Sequence, residues 1–424
     1  MALDKVTTAV ITDDSVTGAK IENNPTVAGN LTVAGTSTLT GNATASGTLT
    51  VTGKTTLSGD LVPSEPLYGR NMIVNGAMNV WQRGTSATAA TGSGGSYGTV
   101  DRWKFCIAGS GAYTHTFQQL TAADLNTTGH RNALKLDVTT VSPTSAGNHA
   151  YFTTMLEGQD CQRPLYGTAN AKDITLSFWV KSSKTGVYNV SLYSLAATNY
   201  QIPIEYTISS ANTWEKKEIL ISPTAGSTSL ITSSGGLIAN GNAQAFSLFF
   251  GLHWEPSLEG TNNTWVTGGG AYGTSNQVNW LDSTSNTFYI TGIQLEVGSS
   301  ATPFEHRSYG DELERCQRYY FRWNAALYPY TPLCSGQGYN GSSANALMHF
   351  PTTMRTAPSF TFSSASHFWF SQGTGNPACS GMSQWGSGIH TSILIATVSN
   401  TAGYGGYLRA GNSTSAWAAW SAEF

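Results

Sequence analysis

Aromatic residues in polar, loop-like stretches are the side chains of this sequence best suited to a chemical role. Exposed tryptophan and tyrosine rings stack on sugar rings, and nearby Asn, Gln or Asp side chains orient the hydroxyl groups. The candidates lie in the segment 255–280 and in the C-terminal region: Trp265, Tyr272, Trp369, Trp385, Tyr404 and Tyr407. Trp385 is central in the longest such stretch, 371–390. Any one of these rings could instead pack in a core or between chains, so both interpretations stay open.

Catalytic groups are sparse in the same stretches. Glycoside hydrolysis needs two carboxylates on either side of the scissile bond, and the aromatic loops offer only Glu255, Glu259 and Asp282. The eight histidines are dispersed, and the sequence contains no GxSxG, HExxH, phosphate-loop or dinucleotide fingerprint. The sequence therefore predicts a protein that is not an enzyme and has no catalytic residues.

The composition narrows the partners and the compartment. Charged residues make up 11% of the 424 residues, against about 25% in ordinary globular proteins, and the net charge is −3 without a basic run. Nucleic acids and anionic membranes need clustered Lys and Arg, so neither is an expected partner. No apolar stretch is long enough to span a membrane, and because MALDKVTTAV carries charges and has no apolar core, we do not expect it to be a secretory signal. Five scattered cysteines without a CxxC pair indicate free thiols in a reducing cytoplasm.

A hexad repeat near the start of the chain predicts a shaft over 28–66. Its glycines recur every six residues: Gly29, Gly35, Gly41, Gly47, Gly53 and Gly59. Because strand side chains alternate with period two, the glycines and the apolar residues four positions later share one face. One small apolar residue per hexad cannot offset the ordering entropy of a single chain, so the repeat favours three chains wound around one axis. A flexible Gly/Ser/Thr linker is the alternative.

Beyond the shaft, the patterns predict an all-β chain with two sandwiches. From 67 to 308, alternating strands such as DITLSFWVKSS, with Ile174, Leu176, Phe178 and Val180 on one face, are separated by Gly/Asn/Ser loops. This spacing favours a β-sandwich or jelly roll over a barrel with helices, and we expect a jelly-roll sandwich domain over 67–308. An apolar stripe at helical spacing then predicts a connecting helix over 309–323. Strand patterns resume over 324–424, enough for a smaller C-terminal sandwich.

Two segments carry a resemblance to a known family. The first segment, 71–105, contains NMIVNGAMNVWQRGTS and YGTVDRWKF. The second, 276–322, contains the closing run FYITGIQLEVGSSATPFEHRSYGDELERCQRYY. Together with the T-V-x-G units of the repeat, they resemble tail fibres and tail-fibre-like structural proteins of bacteriophages, particularly the short fibres of tailed marine phages. The last 100 or so residues match only in outline.

The resemblance implies a homotrimer that is part of the virion tail and is assembled in the host cytoplasm. Residues 1–27 would attach to a nozzle or adaptor protein of the tail, and 324–424 would form the tip that recognises a host-surface glycan or lipopolysaccharide. Two alternatives remain open at this point: a tail-associated polysaccharide depolymerase, and a bacterial or prophage-encoded adhesin. Membrane insertion is not expected.

The opening and closing segments also resemble the edges of jelly-roll carbohydrate-binding modules, whose first and last strands pair. Such modules often hold a structural calcium where these ends meet, which would here involve Asn75 and Glu296, although no acidic cluster accompanies them. No other cofactor is expected. Asp101, Arg102 and Trp103 follow the opening strand, and at this position the resemblance implies a structural ion pair or loop clamp rather than a catalytic group.

Overall fold

The computed structural model describes residues 69–91 and 95–424. The predicted tail-attachment segment, 1–27, and the hexad shaft, 28–66 with its six glycines, lie outside the described residues. All of the described residues belong to one compact unit.

The first sandwich is built from strands that run from Ser86 to Val297. In chain order these strands are β1 (Ser86–Thr88), β2 (Ala90–Thr91), β3 (Ser96–Tyr97), β4 (Lys104–Ala108), β5 (Ala112–Gln119), β6 (Asn132–Thr140), β7 (His149–Glu157), β8 (Ile174–Ser182), β9 (Gly186–Ser194), β10 (Tyr200–Ile208), β11 (Glu215–Ile221), β12 (Gln244–His253), β13 (Val266–Thr267) and β14 (Thr287–Val297). Short 3-10 turns at Gly158–Cys161, Ala225–Ser227, Ser234–Gly236, Pro256–Leu258 and Trp280–Asp282 interrupt the connections.

These strands form two sheets that enclose one hydrophobic core. One sheet has the order β1-β5-β6-β14-β8-β11, and the other has the order β13-β10-β9-β12-β7-β4-β2, with β3 beside β4. All pairs are antiparallel except β2 with β4. The core face predicted for β8 is confirmed, because Ile174, Leu176, Phe178 and Val180 are fully buried between the sheets. Phe178 meets the ring of Phe250 from the opposite sheet edge-on at 5.3 Å.

The opening segment packs along β14. The Met72 N–H donates to the carbonyl of Leu295, and the Ile293 N–H donates to the carbonyl of Gly76. A Cβ on Gly76 would lie 2.0 Å from the Ile293 carbonyl oxygen, so this close approach requires glycine. The two segments that carry the family resemblance therefore meet in space.

Two short α-helices occur in the described part of the chain, α1 (Ala122–Thr128) and α2 (Tyr309–Gln317). The helix predicted over 309–323 is shorter than expected. It begins at an N-cap, where Ser308 Oγ accepts from the Asp311 N–H, but it ends at Gln317, and the aromatic run that follows forms strand β15 (Tyr320–Asn324). Neither helix is long enough to cross a membrane.

The second sandwich comprises β15 and the strands that follow it. They are β16 (Pro332–Asn340), β17 (Ser343–His349), β18 (Ser359–Phe362), β19 (Phe368–Gln372), β20 (Gly381–Ser387), β21 (Thr391–Thr397), β22 (Gly405–Ala410) and β23 (Trp417–Ser421), with a 3-10 turn at Ala365–His367. One sheet has the order β15-β23-β18, and the other has the order β19-β22-β16-β17-β21-β20. Their inner faces meet around the buried ring of Trp420. The expectation of an all-β chain with sandwiches is thus confirmed for the described residues.

A buried ion-pair network joins the two sandwiches. Arg83 Nη1 lies 3.1 Å from Asp101 Oδ1, and Arg83 Nη2 lies 3.1 Å from Glu423 Oε1. The second oxygen of Glu423 accepts from Arg102, whose guanidinium stacks on the Tyr319 ring at 3.4 Å from the ring centroid. This network gives Asp101 and Arg102 structural partners.

Trp103 belongs to the same structural motif. Its ring is fully buried in the core of the first sandwich, and its Nε1–H donates to the carbonyl of Asn75 at 3.3 Å. The indole therefore ties the segment after Arg102 to the opening segment of the sandwich.

Buried histidines predict acid sensitivity of the fold. Burial lowers the pKa of His115 to about 3 and those of His130 and His253 to about 4, from an ordinary 6.5. The unfolded chain therefore binds more protons, so stability is full above pH 6.5 and falls as the pH drops from about 6.5 towards 3–4, by about 1.4 kcal/mol per pH unit for each histidine. Burial also raises the pKa of Asp101 to about 6, which opposes this loss between about pH 6 and 4.

Denaturant unfolding at pH 7 and pH 5 measures this effect. We expect His115→Gln to reduce the difference in unfolding free energy between the two pH values. The control is His349→Gln, a change at an exposed position, which should leave this difference as it is in the unmodified protein. Equal pH dependence of the His115→Gln variant and the unmodified protein would contradict the assignment.

Candidate functional site

The outer face of the six-stranded sheet in the second sandwich carries apolar and polar side chains, and no other layer formed by the described residues covers them. Because strand side chains alternate between the two faces, Ala344, Ala346 and Met348 of β17 lie in the core, where they are at most 8% exposed. Leu347 therefore points outwards and is 43% exposed. On β21 the buried Leu394 likewise leaves Ile393 on the outer face. Exposed apolar side chains grouped on one sheet face indicate a binding surface.

Strand register aligns these side chains in one row across five strands. Tyr407 of β22 pairs with Ser335 of β16, Ser335 pairs with Leu347, and Leu347 pairs with Ile393. The register of β20 shifts between Gln384 and Gly386, and Trp385 is the extra residue of this bulge beside Ile393. The two ends of the row are four strand spacings apart. At about 4.8 Å per spacing, the row is about 19 Å long.

A second row supplies hydrogen-bonding groups beside the first. Gln337 pairs with Asn345, Asn345 pairs with Ile395, and Ile395 pairs with Ser383. The Oδ1 atom of Asn345 is buried and accepts no hydrogen bond within the described residues. An acceptor in this state favours a ligand or water that donates to it.

Two adjoining cavities follow the first row. The larger has a volume of about 450 Å³ and is lined by Ser335, Gly336, Gln337, Asn345, Ala346, Leu347, Trp385 and Ile393. The other, of about 430 Å³, is lined by Pro332, Leu333, Cys334, Ser335, Gly406 and Tyr407. They share Ser335, and we call their lining together the outer groove. As far as the structure describes the chain, no charged side chain lines it, so it suits a neutral ligand with apolar faces and hydroxyl groups.

The predicted aromatic candidates divide between the outer groove and other places. Trp385 and Tyr407 line the groove and are 71% and 42% exposed. Tyr404, 53% exposed, precedes β22, and its carbonyl accepts from the Gly338 N–H. Trp369 lies on the edge strand β19, half-buried, with the Arg409 guanidinium 5.3 Å from its ring centroid.

The two candidates from 255–280 pack against the first sandwich. Trp265 is 1% exposed and its Nε1–H donates to the Ser222 carbonyl at 2.8 Å, so no face is open to a sugar. Tyr272 is half-buried and stacks on Trp254 at 4.8 Å between ring centroids. Sequence reasoning missed Leu347 and Ile393. The signal for them was an apolar side chain on the second alternating face of each strand, Leu347 among polar neighbours in 343–349 and Ile393 beside Ile395 in 391–397.

The two residues considered for calcium each anchor a loop. Asn75 Oδ1 accepts from the backbone N–H groups of Asn79 and Val80, at 2.8 and 3.0 Å. Glu296 accepts from the Thr302 N–H at 2.8 Å and from the Thr302 hydroxyl at 2.6 Å. The two side chains share no partner, and within the described ranges no three His, Cys, Asp or Glu side chains are grouped to hold a metal ion.

The carboxylates of the aromatic loops each bind a nearby group. Glu255 accepts from the Gly147 N–H at 2.6 Å, and this hydrogen bond holds the pKa of Glu255 below its ordinary value. Glu259 accepts from Gln277 at 3.0 Å, and Asp282 pairs with Lys184. The general acid of glycoside hydrolysis works with a raised pKa, so the pKa of Glu255 is shifted in the opposite direction.

Comparison with known proteins gives a distant structural similarity. No protein-family model and no curated protein sequence matches the chain. The enzymatically active domain of bacteriophage CBA120 tailspike protein 4 is 15% identical, with a TM-score of 0.28, over 54% of this chain and 21% of that one. The match thus spans about a fifth of the tailspike chain.

Two further solved structures are similar over about half of this chain. A putative sugar binding protein from Bacteroides thetaiotaomicron is 11% identical, with a TM-score of 0.30, over 54% of this chain and all of its own. A family 11 carbohydrate-binding module from a Clostridium thermocellum cellulase is 13% identical, with a TM-score of 0.25, over 50% of this chain and 93% of its own.

Proposed function

We propose that this chain binds carbohydrate at the outer groove. The observation that carries the proposal is the row from Tyr407 to Trp385, in which two exposed aromatic rings bracket outward aliphatic side chains. Sugar rings have apolar faces that stack on such surfaces, while their hydroxyl groups need nearby donors and acceptors. Gln337, Ser335 and the unpaired Asn345 Oδ1 provide them.

The groove favours a neutral glycan that is bound and released unchanged. A charged saccharide would lose hydration in the groove without gaining an ion pair. Hydrolysis would require two carboxylates across the bound sugar, and the described lining contains neither Asp nor Glu. Its length of about 19 Å suits a short oligosaccharide lying across the strands.

We further propose that the binding surface belongs to a bacteriophage tail fibre. The support is the sequence resemblance over 71–105 and 276–322 and the hexad repeat. In this proposal three chains join through 28–66, residues 1–27 attach to the tail, and the grooves face the host surface. Three weak sites on one fibre gain affinity by avidity when they bind together.

A glycan array followed by calorimetry tests carbohydrate binding. We expect the full-length protein to bind immobilised neutral host-surface glycans, and the same saccharide free in solution to bind more weakly, because avidity then disappears. A reducing-end assay on the bound glycan should show no turnover. Release of reducing ends would favour a depolymerase, and an array without binding would contradict the proposed function.

A further inference from the structure

A separate cavity lies between the two sandwiches and has no place in the proposed function. It has a volume of about 430 Å³, within the usual range for small-molecule sites. Its lining comes from both sandwiches, with Trp81, Gln82 and Arg83 from the first and Arg322, Asn324 and Trp417 from the second. We call it the junction pocket.

Arg322 is a positive charge in this pocket without a carboxylate partner among the described residues. Its Nη1 donates to the backbone carbonyls of Arg83, at 2.6 Å, and Gln82, at 3.5 Å, and its Nε is buried without a hydrogen bond. Arg83 in the same pocket differs, because Asp101 and Glu423 neutralise it. The junction pocket therefore keeps one uncompensated guanidinium, which favours an anionic ligand.

Two half-buried tryptophans give the pocket aromatic surfaces. Trp81 is backed by Phe117, stacked at 3.5 Å between ring centroids. Trp417 lies beside Arg322, with the guanidinium carbon 4.6 Å from its ring centroid. Each ring is held in place by its neighbour, so little conformational entropy is lost when a ligand packs against it.

Polar groups of the junction pocket are suited to hydroxyl groups. Asn324, Thr414 and Ser415 offer an amide and two hydroxyls, and both hydroxyl-bearing residues, Thr414 and Ser415, are exposed. Gln82 is fixed by hydrogen bonds from its Nε2 to Asp101 Oδ2, at 2.6 Å, and to the Tyr320 carbonyl, at 2.7 Å. The wall is thus rigid and its rim is rich in hydroxyls, a combination that favours a polyhydroxylated ligand.

We propose that the junction pocket binds a sugar that carries an anionic group. The anion would pair with Arg322, the ring would pack against a tryptophan, and the hydroxyl groups would bond to Asn324, Thr414 and Ser415. A carboxylate or a phosphate could supply the charge, since a guanidinium binds both. The proposal does not depend on the outer groove, because the two sites share no residue.

Calorimetric titration of the full-length protein tests this proposal with four probes: D-glucuronate, glucose 6-phosphate, glucose and acetate. We expect binding of at least one of the two anionic sugars, and the preferred one identifies the anion. Glucose and acetate should bind at least about tenfold more weakly, because each lacks one of the two recognised features. Failure of both anionic sugars to bind, or equal binding of glucose or acetate, would overturn the proposal.

Variants of the protein test whether the anionic sugar binds in the junction pocket. Arg322→Gln should weaken binding at least about tenfold, and Thr414→Glu, an exposed change that cannot disturb the core, should weaken it by adding a negative charge at the rim. Arg409→Gln is the matched control, because Arg409 also lies near aromatic rings but outside the junction pocket. Trp385→Ala should leave anionic-sugar binding unchanged, which separates this site from the outer groove. Unaltered binding by both Arg322→Gln and Thr414→Glu would contradict the assignment.

Discussion

Glu423→Ala is expected to lower the free energy of unfolding by about 3–5 kcal/mol. The Glu423 side chain is 4% exposed and serves two arginines at once, Arg83 and Arg102, of which Arg102 is 1% exposed. Burial alone lowers the pKa of Arg102, but the charge of Glu423 is the main opposing cause and the pKa stays above its ordinary value. Removing the carboxylate leaves a buried guanidinium without its counter-ion.

Denaturant unfolding of the full-length protein measures this loss. Glu423→Gln keeps an acceptor without the charge and should fall between the alanine variant and the unmodified protein. Glu218→Ala is the matched control, because Glu218 and its partner Lys216 are 50% and 39% exposed and their ion pair contributes only about 0–1 kcal/mol. A loss below about 1 kcal/mol for Glu423→Ala would show that the network does not hold the two sandwiches together.

Trp385→Ala is expected to reduce neutral-glycan binding at least about tenfold, or about 1.4 kcal/mol. The indole is 71% exposed and sits at one end of the groove, so its removal takes away a stacking surface without opening the core. Stability should therefore change by less than about 0.5 kcal/mol. Loss of binding without loss of stability is the signature of a residue that contacts the ligand.

Controls for this variant separate stacking from general surface change. Trp385→Phe should retain part of the affinity, because a smaller aromatic face remains. Tyr309→Ala removes a ring that is 60% exposed on α2, outside the groove, and should have no effect. Equal glycan affinity of Trp385→Ala and the unmodified protein would exclude Trp385 from the binding surface.

Local patterns predicted the strands well because alternation is a local property. The buried series from Ile174 to Val180 is legible in the sequence, since one face must meet the core. The end of α2 was not predictable in the same way. Tyr320–Asn324 pairs with Trp417–Ser421, almost 100 residues away, and this pairing prevails over a helical apolar stripe that continues to Trp323.

The candidate site was predictable only in part. Trp385 was a candidate because it is central in the longest polar, loop-like stretch with aromatic residues, 371–390. Trp265 has similar neighbours in sequence, but Tyr166 and Ser222 cover it from distant parts of the chain. Leu347 and Ile393 join the groove through the order β22-β16-β17-β21-β20, and this order depends on long-range pairing that a single sequence does not state.

A crystal structure of the full-length protein with a neutral oligosaccharide that it binds would test the central claim most directly. We expect the saccharide to lie across the strands from Tyr407 to Trp385, with a ring against the indole and a hydroxyl donating to Asn345 Oδ1. A saccharide bound elsewhere, for example on a sheet of the first sandwich, with the outer groove empty, would contradict the account.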